Sequence, residues 1–266
     1  MTTHVLIACS KTKSKPAPKS LNWHSKTTTK SWRKVWFNQK RSNLTPAFQL
    51  YTGRSFRQQL ALCKQSKDIR PYILSAGGGL ISELDAMIPS YEATLQRNRG
   101  PLSTKWHLLP FGGIGKLKLK PNDVVVSFAP PQYHLALLND ADIERIAPHL
   151  VVPSTSPLAS IAATVIPIHP RANEVLNVAF TDLNTAFLKT YINDDIKGFE
   201  RIRLDAEELP QKVERTAISN DDLIEKVKEL KEIKTLGLLV RHLRDNLLIK
   251  ASRERISAAR NHVHNE

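Results

Sequence analysis

The carboxylates between residues 69 and 122 are Glu83, Asp85 and Glu92, and they follow a glycine-rich run at residues 75–79. Because carboxylates repel phosphate, acids kept beside a phosphate-binding surface are candidates for catalysis. A carboxylate can stabilise the oxocarbenium-like state of glycosidic-bond cleavage while it orients a water molecule. We therefore select Asp85 and Glu92 as candidate catalytic residues. The alternative is that each is an ordinary surface acid or helix cap.

The first 67 residues carry 14 lysines and arginines and no aspartate or glutamate. The rest of the chain is balanced, with 25 basic and 25 acidic residues, so the net charge of +14 belongs to the N-terminal segment. A one-sided field attracts phosphates and is weakened by salt. The segment is therefore predicted to bind a polyanion, with DNA as the leading candidate and a solvated basic face as the alternative. The cations selected as DNA-binding residues are Lys13, Lys26, Lys30, Arg33, Lys34 and Arg54.

Aromatic rings alternate with cations between residues 19 and 45, where three of the four tryptophans lie. From Ser31 as a helix cap, Trp32 and Trp36 fall at helical spacing. Rings interleaved with cations favour stacking on unpaired bases, so both tryptophans are predicted to contact DNA. The alternative is that the rings anchor the segment to the core, which is the better interpretation for any tryptophan taken singly.

The glycine-rich run Ser-Ala-Gly-Gly-Gly follows a predicted strand and precedes a predicted helix. Glycines let a ligand approach the backbone closely and let amide groups point at it, although they also form ordinary tight turns. The run matches neither the dinucleotide-binding nor the P-loop pattern, which argues against an ATP-driven reaction. Together with the loop after the first strand, it is a candidate for a pocket, and the ligand expected there follows from the resemblance described below. The pocket residues selected are Cys9, Ser10, Lys11, Ser75, Gly77, Gly78, Gly79 and Tyr91.

The cysteines and histidines do not form a metal-binding or disulfide pattern. Cys9 and Cys63 are too few for a disulfide framework, which favours a reducing compartment. The nine histidines are scattered, and neither H-E-x-x-H nor G-x-S-x-G occurs. We expect no metal and no cofactor. No apolar run approaches the ~20 residues of a membrane span, so we expect a cytoplasmic protein without a membrane partner. The oligomeric state is not indicated.

Short apolar runs bounded by turn residues predict the strands of a parallel sheet that is covered on both faces. The strands are predicted at residues 4–8, 71–74, 123–128, 149–152 and 163–168. Helical patterns at residues 55–64 and 140–147 separate some of them, which favours a three-layer, doubly wound α/β domain with a mostly parallel sheet. Ligands in such sheets bind outside the carboxyl ends of the strands. The loops expected at that edge are residues 9–13, 75–79, 129–133 and 154–160.

The C-terminal part of the chain has a separate helical pattern. Ser219 is predicted to cap a helix whose Asp221 and Asp222 suit its N-terminus. A second helix is predicted from about residue 235 to residue 262. We therefore divide the chain into an α/β domain over residues 1–215, with a basic insertion near residues 19–45, and a helical segment over residues 216–266. The helices could form a helix-turn-helix-like DNA-binding module or a lid packed on the core.

Four segments, taken together, resemble one family. They are CSKTK at residues 9–13, YTGRSFR at 51–57, ILSA with GL at 73–80, and IPSYE with TL at 88–95. The combination is similar to a domain-of-unknown-function family that is distantly similar to the YaaA peroxide-stress proteins. The resemblance spans about residues 4–160. Two features depart from the family pattern, namely the long basic insertion and the pair Gly77 and Gly78 in place of bulkier residues.

The resemblance implies a function. Proteins similar to this family include antiphage DNA glycosylases that excise glucosylated cytosines and have a core like that of uracil-DNA glycosylases. It implies base excision from modified phage DNA in antiviral defence, with the base flipped into a pocket. Residues 153–158 are similar to the loop that meets the minor groove in that fold, which implies that Ser156 and Leu158 contact DNA, with Leu158 as the wedge. Two alternatives stay open: a non-catalytic DNA-binding stress protein and a base-exchange enzyme acting on RNA.

Overall fold

The structure is a computed structural model that describes residues 1–95, 100, 101, 103–210 and 215–265. The chain forms two compact units, Met1–Glu208 and Leu209–Glu266. Among the described helices, none combines the length and the apolar character that crossing a membrane requires.

Most of the regular structure lies in the first unit. In chain order the strands are β1 (Thr3–Ala8), β2 (Leu44–Pro46), β3 (Ile69–Ser75), β4 (Gly79–Ile81), β5 (Met87–Pro89), β6 (Val124–Ser127), β7 (Leu150–Pro153), β8 (Thr164–Ile166), β9 (Thr216–Ala217) and β10 (Ile249–Lys250). The α-helices are α1 (Thr29–Phe37), α2 (Ala47–Leu50), α3 (Arg54–Cys63), α4 (Pro131–Leu138), α5 (Ile143–Ile146), α6 (Ala172–Val175), α7 (Leu183–Glu207), α8 (Asn220–Glu229), α9 (Leu236–Arg241) and α10 (Arg253–Asn265). Short 3-10 helices include Pro157–Ser160 and Phe180–Asp182.

A central sheet of six strands in the order β4-β3-β1-β6-β7-β8 forms the core of the first unit. The strands from β3 to β8 in that order are parallel, and β4 is antiparallel to β3. Val5, Leu6 and Ile7 of β1 are all buried, because helices and loops cover both faces of the strand. The predicted α/β class and all five predicted strands are confirmed, and the arrangement is compatible with a three-layer fold.

The order of the parallel strands reverses between β1 and β6. The chain leaves β1 toward β3 and β4 on one side, and then returns to build β6, β7 and β8 on the other. The loops that follow β1 and β6 therefore run in opposite directions and leave a crevice between them, which is where open α/β sheets bind ligands. These loops begin at Cys9 and Phe128.

The glycine run at residues 75–79 leads into strand β4, so the prediction of a helix after it is wrong. Ser75 pairs with Gly79 across an antiparallel turn, and Gly79 has a φ of +90°, which closes the hairpin. A loop covers β4 on its outer side. The Leu80 amide donates to the Gly112 carbonyl at 2.8 Å, and the Phe111 amide donates to the Gly78 carbonyl at 2.8 Å.

The basic insertion is folded onto the core. Helix α1 begins after Thr28, whose hydroxyl accepts a hydrogen bond from the Ser31 amide at 3.1 Å. The cap predicted at Ser31 is therefore three residues too far along the chain. Trp32 and Trp36 lie one turn apart and are both buried, while the cations of this helix remain exposed. The insertion is therefore an amphipathic element with its aromatic face inward.

The second unit is a small helical structure with its own apolar cluster, which includes Leu223, Leu243 and Ile256. Ser219 caps α8 as predicted, because its hydroxyl accepts the Asp222 amide hydrogen bond at 3.1 Å. The prediction of one long helix over residues 235–262 is wrong, because this segment contains two helices. It is broken between α9 and α10 by a π-helical turn and by strand β10, and Leu248 has a φ of 53° there, which a helix does not allow.

Candidate functional site

A cavity of about 320 Å³ lies at the carboxyl ends of β1 and β6, where the strand order reverses. We call it the switch-point cavity. Its lining comes from the loop after β1, the start of α3, the loop after β6, and the segment that leads into α7. The rings of Phe56 and Phe128 contribute apolar walls, and Gln59 and Asn184 contribute amides. The cavity can therefore hold a flat ring and offer donors and acceptors to its edge.

A second cavity of about 480 Å³ lies beside it, at the carboxyl ends of β6 and β7. We call it the outer cavity. Ala129, Pro130 and Asn184 line both cavities, so the two are neighbours on the same edge of the sheet. The outer cavity is mostly apolar, with several prolines and Phe187 in its walls. His134 is one of its polar residues.

Two serines fix the orientation of His134. Its Nε2 lies 2.9 Å from the Ser127 hydroxyl and its Nδ1 lies 2.6 Å from the Ser156 hydroxyl. Burial lowers the pKa of His134 to about 4, so the ring is neutral at physiological pH. One ring nitrogen therefore donates to a serine while the other accepts from a serine.

The predicted DNA contacts of residues 153–158 are corrected by this arrangement. Ser156 is buried, and its hydroxyl accepts the Leu158 amide hydrogen bond at 3.2 Å, which starts the short helix Pro157–Ser160. That turn directs the Leu158 side chain into the core, where it is fully buried. Leu158 is therefore a core residue in this structure and presents no wedge to a duplex.

Cys9 belongs to a network of hydrogen-bonding groups that includes three tyrosines. The Cys9 Sγ lies 3.2 Å from the Tyr133 hydroxyl and 3.6 Å from the Tyr91 hydroxyl. The Tyr91 hydroxyl is in turn 2.9 Å from the Tyr51 hydroxyl and 2.8 Å from that of Ser75. Burial raises the pKa of Tyr51, Tyr91 and Tyr133, so the phenols stay protonated, and the hydroxyls of Tyr91 and Tyr133 can donate to the sulfur.

The glycine run admits protein side chains and leaves no room for a ligand. The Trp32 indole N–H donates to the Gly77 carbonyl at 2.7 Å, and a Cβ on Gly77 would lie 2.7 Å from the Tyr91 ring. The Gly78 amide donates to the Ser75 hydroxyl at 2.8 Å. The predicted pocket is corrected accordingly. Ser75, Gly77, Gly78, Gly79 and Tyr91 are buried and line neither cavity, Lys11 is exposed, and Cys9 and Ser10 line the switch-point cavity.

The predicted stacking of Trp32 and Trp36 on DNA bases is also corrected. Trp32 is 2% exposed and Trp36 is 3% exposed. The two rings lie 6.2 Å apart, and the Trp36 ring lies 5.3 Å from that of Tyr91. Neither ring offers a face to a base, because each is packed among other rings. The structure fits the alternative interpretation, in which the two tryptophans anchor the basic segment to the core.

The predicted DNA-binding cations lie mostly at the surface. Lys26, Lys30 and Lys34 are exposed, and the exposed Arg33 donates to the carbonyls of Leu108 and Leu109 at 3.2 and 3.3 Å. These contacts hold one guanidinium in place beside the free lysine side chains.

The two remaining cations, Lys13 and Arg54, have different surroundings. Lys13 is half-buried, with its ammonium 4.5 Å from the centre of the Tyr91 ring, and burial lowers its pKa. Arg54 is 74% exposed, lines the switch-point cavity and pairs with Asp182 at 3.2 Å. Arg54 therefore connects the basic segment with the cavity.

The predicted catalytic carboxylates lie outside both cavities. Asp85 is exposed in the turn between β4 and β5, and Glu92 is exposed after β5. The backbone of Glu92 bonds to Leu21 and Trp23, so this residue ties the basic insertion to the core. Sequence reasoning did not select Asp182. Its position just before the helical pattern of α7 is the signal that could have found it.

These elements define an α/β protein with a ligand-sized cavity at the strand reversal and a basic surface that reaches its rim. The chain is similar to a family of unknown function (DUF6884), whose model matches residues 37–153, less than half of the chain. The matched part contains β2 to β7, and so the loops of Gly53 and Phe128 at the cavity. No curated protein and no solved structure is significantly similar. The family's description names no activity, and no finding connects it with peroxide-stress proteins or DNA glycosylases.

Proposed function

We propose that the protein binds DNA and hydrolyses the N-glycosidic bond of a modified base that it takes into the switch-point cavity. The observation that carries this proposal is the position of Arg54, which belongs to the acid-free basic segment and also lines the cavity. A DNA strand held by the segment would thus pass the cavity mouth. The substrate would be phage DNA with modified bases, such as glucosylated hydroxymethylcytosine, and the reaction would serve antiviral defence in the cytoplasm.

The cavity suits a flipped base. Its volume of about 320 Å³ falls within the ~300–1,000 Å³ of small-molecule sites. Aromatic walls from Phe56 and Phe128 would contact the faces of the base, and the amides of Gln59 and Asn184 would read its edge. A core similar to that of uracil-DNA glycosylases is part of the proposal, because those enzymes also extrude the base that they remove.

The reaction needs a group that stabilises positive charge on the sugar. Hydrolysis breaks the bond between C1′ and the base nitrogen, the water oxygen bonds to C1′, and a water proton ends on the departing base. Asp182 is the carboxylate best placed for this role, because it pairs with a residue of the cavity wall and stands between Thr181 and Asn184, which both line the cavity. Asp85 and Glu92 remain as candidates that would require a rearrangement.

A second candidate function is DNA binding without catalysis, as in a stress-response protein. The observation that favours it is the composition of the switch-point cavity. Among the described residues of its lining there are thiol, hydroxyl, amide and guanidinium groups but no carboxylate. A site of this kind can recognise a base without activating water.

The test is to incubate the purified protein with phage DNA that carries natural or hypermodified bases and to look for free base by mass spectrometry. We expect base release by the unmodified protein and a loss of about 10²–10⁴-fold in Asp182→Asn, with DNA binding retained. Asp85→Asn and Glu92→Gln are the matched controls and should release base normally.

The reverse pattern would return the catalytic role to Asp85 or Glu92. DNA binding with no base released from any of the DNAs would support the non-catalytic function. Failure to bind DNA at low salt would exclude both.

A further inference from the structure

Phe180 is an exposed aromatic residue at the edge of the sheet where both cavities open. Its residue surface is 78% exposed, and it begins the short helix Phe180–Asp182 that precedes α7. A single exposed apolar residue is common and needs no explanation by itself. The position of this ring is what gives it significance.

The ring stands on the ridge between the two cavities. Phe180 lines the outer cavity, and the next residue, Thr181, lines the switch-point cavity. Asn184, one turn further on, lines both cavities. An aromatic ring on this ridge is therefore adjacent to any base that enters the switch-point cavity.

The turn that carries Phe180 is held in place from both sides. Asp182 pairs with Arg54 at 3.2 Å, and its amide donates to the Ala179 carbonyl at 2.9 Å. At the start of α7, the Thr185 hydroxyl lies 3.1 Å from that of Ser55, and the Phe187 ring lies 5.9 Å from the Phe128 ring. These contacts fix the backbone beneath the ring, so the ring can bind without first ordering a loop.

We propose that Phe180 stacks on the DNA base next to the one that enters the switch-point cavity and fills the gap left in the base stack. This inference rests on the proposed function and adds the residue that Leu158 cannot supply from the core. Aromatic stacking is tolerant of sequence because every base offers a flat face. Arg54 beside the turn would hold the neighbouring phosphate, so one short segment of the surface would provide both stacking and charge.

The probe is a DNA duplex with 2-aminopurine, a fluorescent base, next to an abasic-site analogue. Binding is measured by anisotropy, and stacking is measured by the quenching of 2-aminopurine fluorescence. We expect Phe180→Ala to bind about 5- to 150-fold more weakly and to lose the quenching. Phe180→Trp should keep both signals. Phe37→Ala is the matched control, since Phe37 is also exposed and belongs to the basic segment but lines neither cavity.

The outcomes separate this inference from the proposed function. Binding and quenching by Phe180→Ala at the unmodified level would overturn the stacking role and leave DNA binding intact. An equal loss in Phe37→Ala would also overturn it, because the effect would then belong to any exposed ring of the surface. No binding by the unmodified protein would overturn the proposed function and this inference together. Thermal unfolding of each variant is the check that its fold is intact.

Discussion

Replacement of Trp32 tests whether the basic insertion is anchored to the core or is free to stack on DNA. The ring is 2% exposed, and its indole N–H donates to the Gly77 carbonyl at 2.7 Å. Trp32→Ala removes a fully packed ring and should lower the free energy of unfolding by about 3–5 kcal/mol. Trp32→Phe keeps much of the packing but leaves the buried carbonyl without its donor, which costs about 1–3 kcal/mol.

Phe37 on the same helix provides the control. It is 60% exposed, so Phe37→Ala should change the free energy of unfolding by no more than about 0.5 kcal/mol. Unfolding in urea, followed by far-UV circular dichroism, measures all three variants. With a urea slope of about 1–3 kcal/mol per molar, the Trp32→Ala midpoint should fall by about 1 M or more.

The anchoring role would be refuted by a Trp32→Ala variant that unfolds at the unmodified midpoint and yet binds DNA more weakly. That result would require the indole to leave the core and to contact the nucleic acid. Such movement would break the contacts between Trp32 and the rings of Trp23 and Tyr91, which lie 4.9 and 6.3 Å away.

Two further predictions concern charge. Removal of three exposed cations of the basic segment should weaken DNA binding and reduce the log–log slope of affinity against salt by up to about 2.7, or about 0.9 for each lost phosphate contact. The variant combines Lys26→Ala, Lys30→Ala and Lys34→Ala. Its control replaces three exposed lysines of the second unit with alanine, namely Lys231, Lys234 and Lys250. An unchanged salt slope in the first variant would disprove the role of the basic segment in DNA binding. His134 should make stability depend on pH, since its pKa is 6.5 when unfolded and about 4 when folded. At a pH between these two pKa values, the unfolded chain binds a proton on His134 that the folded chain does not bind. The free energy of unfolding therefore falls by about 3 kcal/mol as the pH drops from about 6.5 to about 4. His134→Gln should remove this part of the pH dependence, and identical pH profiles for the two proteins would contradict it.

The strands of the sheet were predictable because each is a short apolar run with turn residues at both ends. The run that became Val124–Ser127 shows this well, since it lies between Asp123 and Pro130 and is buried on both faces. Helix α7 was not predicted. Asp195 within it has a φ of 54°, and a kink of this kind is not indicated by the spacing of the apolar residues. The spacing of apolar residues also gave a wrong prediction around Leu248, where it indicated a continuous helix. Leu248 has a φ of 53°, a conformation that leucine disfavours on its own.

The candidate site was predictable in part. Ligands in parallel sheets bind outside the carboxyl ends of the strands, which predicted the loops after β1 and β6 as part of the site. These two loops do meet at the switch-point cavity. Periodicity could not reveal which face of α1 is covered, so rings that alternate with cations were interpreted as a DNA-stacking surface although they point inward. Residues 180–184 were missed because only the folded chain brings that distant segment to the rim of the cavity.

The position of β1 in the middle of the sheet also determines when the protein can fold during synthesis. Ile7 pairs with Ile73, whereas Leu6 pairs with Ser127 on the opposite side. At about 5–20 residues per second, the ribosome needs about 6–24 seconds to synthesise the chain from Leu6 to its partner Ser127. Throughout this interval the edge of β1 that will pair with β6 has unpaired backbone N–H and C=O groups, and the highly basic segment is synthesised before that edge is covered. The nascent chain is therefore open to chaperones and to aggregation, and any chain that stops before residue 127 retains this exposed edge.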